Sequence, residues 1–311
     1  MVHWGAPMSE VRAGPVVVGI DGSAIARNAV RWAAQEARRR DARLRIVYGD
    51  VFALPALPDM PGLHWGKEQH VVVRRQVETW LSAAAEVAAE HAPDVPVETA
   101  SLPGTPEKVL IAESAQAGLM VVGDRGFGGF TGLLAGSAAV AVVAHGRCPT
   151  VVVRGAEPTF AADGPVVVGV NGPPSPRGGA PGRGAVAERV LAHGFDVADT
   201  RSVPLRVVHT WHALDVPRPP GGLAAKQVRE REELYVAELL AGWQQRYPDV
   251  AVERFVGPGS AAVALLEQSE RAQLLVVGSR GRGGFAGLLL GSTSQALIHH
   301  AGCPVLVIPT A

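Results

Sequence analysis

The chain has 311 residues, of which 47% are apolar, with 29 Lys+Arg balanced by 29 Asp+Glu. That apolar content supports a sizeable core and excludes a disordered chain, and the length suits two domains of about 150 residues each. A formal net charge of +0 argues against a general binder of nucleic acid or anionic membrane, which would carry a basic excess.

The first residues, MVHWGAPMSEVRAG, show no basic stretch followed by an apolar one, so no secretory signal is expected and the cytoplasm is the expected compartment. Val16–Ile20 is a short, β-branched, wholly apolar run, the pattern of a strand buried on both faces. Ser23 is a good N-cap for a helix over 24–40, with Ile25, Val30, Ala33, Ala34 and Ala37 on one face. A second strand is expected at Leu44–Tyr48, then a long helix over Lys67–His91 whose Val73, Val77, Trp80, Leu81, Ala84 and Val87 face inward. Val97–Leu102 reads as a third strand, and Thr105 with Pro106 opens a helix by a cap and an N1 proline. A strand at Leu119–Val122, a helix over 137–145 and a strand at Thr150–Val153 follow. Strands separated by helices imply an α/β fold with a parallel, doubly wound sheet.

The same plan then repeats. PVVVGIDG at 15–22 recurs as PVVVGVNG at 165–172, with six of eight residues identical. Met120–Val153 recurs as Leu275–Ile308 with 18 of 34 identical and no gap. Two tandem domains are therefore expected, at 9–156 and 163–311, joined by the linker-like RGAEPTFAADG. Strands of the second copy are expected at Val166–Val170, Leu205–His209, Val252–Val256, Leu274–Val277 and Val305–Ile308. The copies differ most at NGPPSPRGGAPGRG (171–184), where four prolines and five glycines replace the helix-starting DGSAIA and predict a mobile loop.

Glycine is concentrated after the fourth strand of each copy, in GDRGFGGFTGLLAGS and GSRGRGGFAGLLLGS. Both carry G-x-x-G, nine residues, then G-S: Gly123, Gly126, Gly136 and Ser137, then Gly278, Gly281, Gly291 and Ser292. Ligands of open α/β sheets bind at the carboxyl ends of the strands. Glycines in a loop leaving that edge let backbone amides approach phosphates closely. Ser137 and Ser292 are expected to cap the helix that follows, whose free N–H groups favour an anion. Arg125 and Arg280, inside the loops, are candidates to meet phosphate charge. No GxxxxGK[ST] sequence is present, and Lys67, Lys108 and Lys226 are the only lysines.

V-G-I-D-G-S after the first strand, together with G-x-x-G, nine residues and G-S after the fourth, resembles the universal stress protein family, and in particular its tandem-domain, ATP-binding branch. The resemblance covers nearly the whole chain. It implies two Rossmann-like domains, each a five-stranded parallel sheet of order 3-2-1-4-5 flanked by helices, with ATP at the carboxyl edge and Mg2+ as a possible companion. Carried over, Asp21 would contact the adenosine end, Gly19 would line the pocket and Val47 would pack against adenine. Amides around Gly123, Gly126, Gly128 and Gly129 would hold phosphates, with Gly136 and Ser137 closing the site. In copy two the matching positions are Gly169, Val208, Gly278, Gly281, Gly283, Gly284, Gly291 and Ser292. Copy two departs from the pattern at Asn171 and Pro173, which implies a weaker, altered or empty second site. Asn keeps a hydrogen-bonding side chain but loses the charge-assisted acceptor. The family also pairs fifth strands across a dimer, which implies a homodimer, or a pseudo-dimer between the two copies.

Other candidates carry less. Cys148 and Cys303 each precede proline and lack a CxxC neighbour, so buried apolar positions are expected and metal binding is not. His209 and His212 are read as ordinary histidines, His299 and His300 as adjacent and divergent on a helix, and Trp32, Trp80 and Trp243 as packing residues. The stretch between Arg125 and Arg147 has no formal charge, but six glycines argue against a membrane span. The reading is an ATP-binding stress-response or dormancy-signalling protein acting through nucleotide occupancy, with an adenine nucleotide as its partner, neither nucleic acid nor membrane, and efficient hydrolysis not expected. The alternatives are a non-nucleotide-binding interaction module of the same fold, or a slow ATPase.

Overall fold

A computed structural model describes residues 14–53, 67–126, 136–157, 163–171, 183–211, 224–280 and 290–310. The chain divides into two compact units between residues 158 and 159. The first unit runs β1 (Val16–Ile20), α1 (Ala24–Arg39), β2 (Leu44–Asp50), a 3-10 turn (Val51–Ala53), α2 (Lys67–His91) and β3 (Val97–Pro103). It continues through α3 (Pro106–Glu113), β4 (Leu119–Gly123), α4 (Ser137–His145) and β5 (Thr150–Val153). The second unit runs β6 (Val166–Val170), α5 (Arg183–Arg201), β7 (Leu205–Trp211), α6 (Ala224–Arg246) and β8 (Val252–Pro258). It closes with α7 (Ala261–Ser269), β9 (Leu274–Gly278), α8 (Ser292–His300) and β10 (Val305–Ile308).

Strand order in the first unit is β3-β2-β1-β4-β5, and in the second β8-β7-β6-β9-β10. Each is 3-2-1-4-5 in its own unit, with parallel pairing throughout. The fold class implied by the sequence is therefore the observed one. Several strands run one or two residues beyond their expected ends: β2 reaches Asp50, β7 Trp211 and β8 Pro258. Those extensions carry Gly49, Asp50, Thr210, Gly257 and Pro258, which interrupt the apolar pattern. The segment 171–184 reads as a loop in the sequence, yet α5 already includes Arg183 and Gly184. The rest of that segment beyond Asn171 lies outside the described residues.

Central strands are buried on both faces, which explains their continuous apolar runs. Val16, Val17 and Val18 are buried, as are Leu119–Val122 in β4 and Leu274–Val277 in β9. The strands at the β3 and β8 ends differ. β3 (VETASLP) and β8 (VERFVGP) expose most of their residues. Each edge glutamate pairs with an arginine of its neighbour: Glu98 with Arg45, and Glu253 with Arg206 at 2.6 Å.

The helices cover the sheets with apolar faces. α1 buries Ala26, Ala29, Val30, Ala33, Ala34, Ala37 and Trp32, and Ser23 caps it as expected, its side chain accepting from the amide of Ala26. In α2, Val77, Leu81 and Ala84 are buried. Trp243 packs as expected, stacked against Phe195 at 5.8 Å and Tyr247 at 6.3 Å.

Both cysteines are buried, as their sequence setting implies, and neither is in a disulfide. Burial pushes the Cys148 thiol up to about 12. The thiolate is the reactive form, so neither cysteine is expected to react with a disulfide reagent at pH 8 until the chain is denatured. Absorbance of the released thiol, read before and after adding guanidinium, checks this. Prompt reaction of the native protein would contradict it.

Candidate functional site

In each unit, strand order reverses beside the first strand, because the chain crosses to one side for the second strand and to the other for the fourth. The crevice above that reversal is where open α/β sheets take ligands. In the first unit β1 pairs with β2 on one side and β4 on the other, so the turns leaving β1 and β4 rise next to each other.

Asp21, Gly22 and Ser23 form the β1 turn. The amide of Ser23 donates to Asp21 Oδ1 at 3.0 Å, and Ser23 Oγ accepts from the amide of Ala26 at 3.1 Å. Gly22 has φ +84, and a Cβ there would lie 2.4 Å from the Trp80 ring. Glycine is required on both counts. Trp80 in turn lies 5.9 Å from the Tyr48 ring. The Tyr48 hydroxyl is held above its ordinary range by burial first, then by the charges of Asp50 and Asp21. Gly19 and Val47 are level in the β1–β2 register, and Val47 is fully buried.

The β4 side meets this turn directly. At Gly126 an added Cβ would stand 2.7 Å from Asp21 Oδ2, and at Gly123 it would stand 2.8 Å from Ile25 Cγ2. The amide of Gly136 donates to the carbonyl of Asp124 at 2.7 Å, which closes the loop at its base. Asp21, Gly123, Gly126 and Gly136 are thus brought together. Arg125 is exposed, its Nε 3.6 Å from the buried Asp124 carboxylate. Arg154 approaches the same oxygen at 3.6 Å, and the amide of Gly155 donates to Asp124 Oδ1 at 3.4 Å. Gly128 and Gly129, with Gly281, Gly283 and Gly284 of the second loop, lie outside the described residues.

The caps of α4 and α8 differ from expectation. Gly136 and Gly291 occupy the N-cap positions, with no side-chain capping bond, and Ser137 and Ser292 are the first helical residues. The helices begin one residue earlier than a serine cap would allow, since both glycines adopt the extended conformation of a cap. First-turn N–H groups of these helices therefore have no side-chain cap. In the first unit, Ser137 Oγ donates to Glu107 Oε1 at 2.7 Å.

The second unit repeats the scaffold with different polar groups. Gly169 and Val208 share a register, as Gly19 and Val47 do. A Cβ at Gly278 would meet Val186 Cγ1 at 2.8 Å, and the amide of Gly291 donates to the carbonyl of Ser279 at 2.9 Å. Arg280 is exposed. Asn171 is exposed, and its carbonyl accepts from the Tyr235 hydroxyl at 3.2 Å. Beneath it, buried His209 joins the carbonyl of Val170 at 3.2 Å through Nδ1 and Glu232 Oε2 at 2.8 Å through Nε2. Both ring nitrogens therefore face an oxygen.

Duplicated 3-2-1-4-5 sheets with this glycine spacing narrow the comparison to one group of proteins. The model of the universal stress protein family matches residues 13–154 and 183–309. The chain belongs to the universal stress protein family. It is 35% identical over 297 residues to a universal stress protein of Mycobacterium tuberculosis, covering 94% of this chain and 95% of the relative. It is 37% identical over 300 residues to one from Mycolicibacterium smegmatis, covering 94% and 96%. A crystal structure of a universal stress protein from Archaeoglobus fulgidus superposes with a TM-score of 0.64 at 19% identity, covering 95% of this chain and 98% of that one, which bears on the fold.

Several residues around this universal stress protein scaffold escaped the sequence reading. Trp80 packs, but over Gly22 in the β1 turn. Asp124 lies inside the quoted GDRG motif, and its burial at 2% exposure with two arginines nearby was not legible there. Glu107 had one signal: it is acidic in a first turn where the matching residue of α7 is Ala262. The pair His209–Glu232 spans 23 residues and becomes visible only when α6 packs on β7. Among the described residues no helix is long and apolar enough to cross a membrane, and no group of three or more His, Cys, Asp or Glu is placed to hold a metal ion.

Removing one partner of a buried hydrogen bond leaves the other unsatisfied, at a cost of about 1–3 kcal/mol. Glu232→Ala is therefore expected to lower the unfolding free energy by about that amount in chemical denaturation. Glu233→Ala, at a side chain 51% exposed and 3.8 Å from Arg229, is the control and should cost under ~1 kcal/mol. Equal effects of the two would remove the buried pair from the account.

Proposed function

We propose that the first unit binds ATP, and that occupancy acts as a signal in a stress or dormancy response rather than as fuel. The observation that carries this reading is the meeting of Asp21 and Gly126, with an added Cβ at Gly126 only 2.7 Å from the Asp21 carboxylate, beside a helix α4 that has no side-chain cap. A carboxylate suits the hydroxyls of a ribose. Glycine loops and uncapped helix N-termini suit phosphates, and each such terminus favours an anion by about 0.3–1 kcal/mol when exposed. Asp21 would take the adenosine end, with Gly19 and buried Val47 beside it. Amides around Gly123, Gly126 and Gly136 would hold phosphates, with Arg125 exposed nearby. Mg2+, where it accompanies ATP, is carried largely by the phosphates and water.

The second unit is proposed to bind more weakly or not at all. Its turn offers Asn171 in place of Asp21, and the backbone carbonyl of Asn171 is already held by Tyr235. Signalling rather than turnover is proposed because the sequence carries no GxxxxGK[ST] loop of the kind that phosphoryl-transferring ATPases use. The cytoplasm is the proposed location.

Calorimetry of the purified chain with ATP is expected to give saturable binding close to one site per chain. Gly126→Ala forces a methyl group onto the Asp21 carboxylate and should weaken binding by about tenfold or more, on the scale of an overpacked contact. Far-UV circular dichroism should be unchanged by the substitution. A folded protein that binds no ATP, or a variant that binds as wild type does, would overturn the assignment.

A further inference from the structure

Glu107 and Ser137 belong to different helices, yet their side chains meet at the start of both. Glu107 is the second residue of α3 and Ser137 the first of α4. Ser137 Oγ donates to Glu107 Oε1 at 2.7 Å. A hydroxyl has one proton to give, and here the carboxylate takes it. That same hydroxyl stands at the uncapped terminus of α4, where a phosphate oxygen would require it. The two acceptors are mutually exclusive, and both are anions.

The geometry points to Glu107 as a built-in competitor for the phosphate chain in the first unit, which raises the selectivity of that site against longer and more highly charged phosphate chains. This inference rests on the nucleotide reading above. Its support is threefold. The carboxylate is engaged by Ser137 itself, not merely near it. The Ser137 hydroxyl is the first cause holding the Glu107 carboxyl below its usual range, so the group stands as an anion at neutral pH. In the second unit the matching residue is Ala262, with Ser292 in the place of Ser137, so the device belongs to one copy only. The unit that keeps the aspartate at its β1 turn is thus the one whose phosphate end is guarded. Binding of a phosphate chain there has to release Ser137 from Glu107, which removes one side-chain bond between the start of α3 and the start of α4. Occupancy at the loop is then coupled to a change between two helices.

A simple helix-stabilising glutamate would act through the helix dipole alone and would not distinguish ligands. The test compares ATP with adenosine, which has no phosphate, on the full chain and on Glu107→Ala and Glu107→Gln. Binding is measured by calorimetry with and without Mg2+. Any binding by the second unit is common to all three proteins and cancels in the comparison. Glu107→Ala is expected to tighten ATP binding by about tenfold, the scale of one partly exposed like charge removed, and to leave adenosine unchanged. Glu107→Gln, which keeps the shape, should also tighten ATP. An unchanged ATP-to-adenosine ratio in both variants overturns the inference while leaving the nucleotide reading intact. Weaker ATP binding by the variants, confined to the samples with Mg2+, also overturns it and makes Glu107 a metal-bridging group. Absence of both ATP and adenosine binding in all three proteins overturns the nucleotide reading and this inference together.

Discussion

Parallel strands with apolar residues on both faces need helices on both faces, and that demand shapes each unit. Val16, Val17 and Val18 in β1 and Leu119–Val122 in β4 are almost wholly buried. They are covered only if the crossover helices go to opposite sides of the sheet, so strand order must reverse next to β1. The reversal places the exits of β1 and β4 side by side. The site exists because two chain segments about a hundred residues apart, as Asp21 and Gly126 are, must leave the sheet through the same gap.

Crowding at that gap accounts for the glycines. Gly123 lies against Ile25, Gly126 against Asp21 and Gly22 against Trp80, each closer than a Cβ would permit. Among the described residues a backbone bond pins the loop at its base, from Gly136 to Asp124 in one unit and from Gly291 to Ser279 in the other. Backbone groups make that closure, so it survives side-chain divergence between the copies. Polar side chains around it have diverged freely. Tyr48 and His209 occupy the same register position beside Ile20 and Val170, yet one packs on Trp80 while the other is tied to Glu232. Asp124 and Ser279 begin matching loops, one drawing two arginines and the other accepting a hydrogen bond at its carbonyl from Ser294 Oγ.

Most of the fold was legible because its signals are local. Continuous apolar runs marked the buried strands, Ser23 marked the start of α1, and the repeat marked two similar units. The serine caps of α4 and α8 were misread for a physical reason: G-S fits a cap at either residue, and backbone geometry alone chose the glycine. Of the candidate site, Asp21, Gly123, Gly126 and Gly136 converge, while Ser137 turns to a carboxylate that no motif pointed to. Long-range pairs leave no local pattern, so Glu107–Ser137, at a separation of 30 residues, and His209–Glu232 stayed hidden.

Sequence by itself determined the family, the duplicated α/β architecture, the strand order through resemblance, and the positions where backbone must come close. Those depend on residue type and spacing along the chain, which hydrophobic burial and glycine geometry translate directly. Tertiary structure decided which polar groups answer one another. Whether Ser137 faces a carboxylate, whether His209 is exposed or buried against an acid, and what Trp80 covers depend on how helices dock on the sheet. That docking is set by packing across the whole unit rather than by any stretch of it.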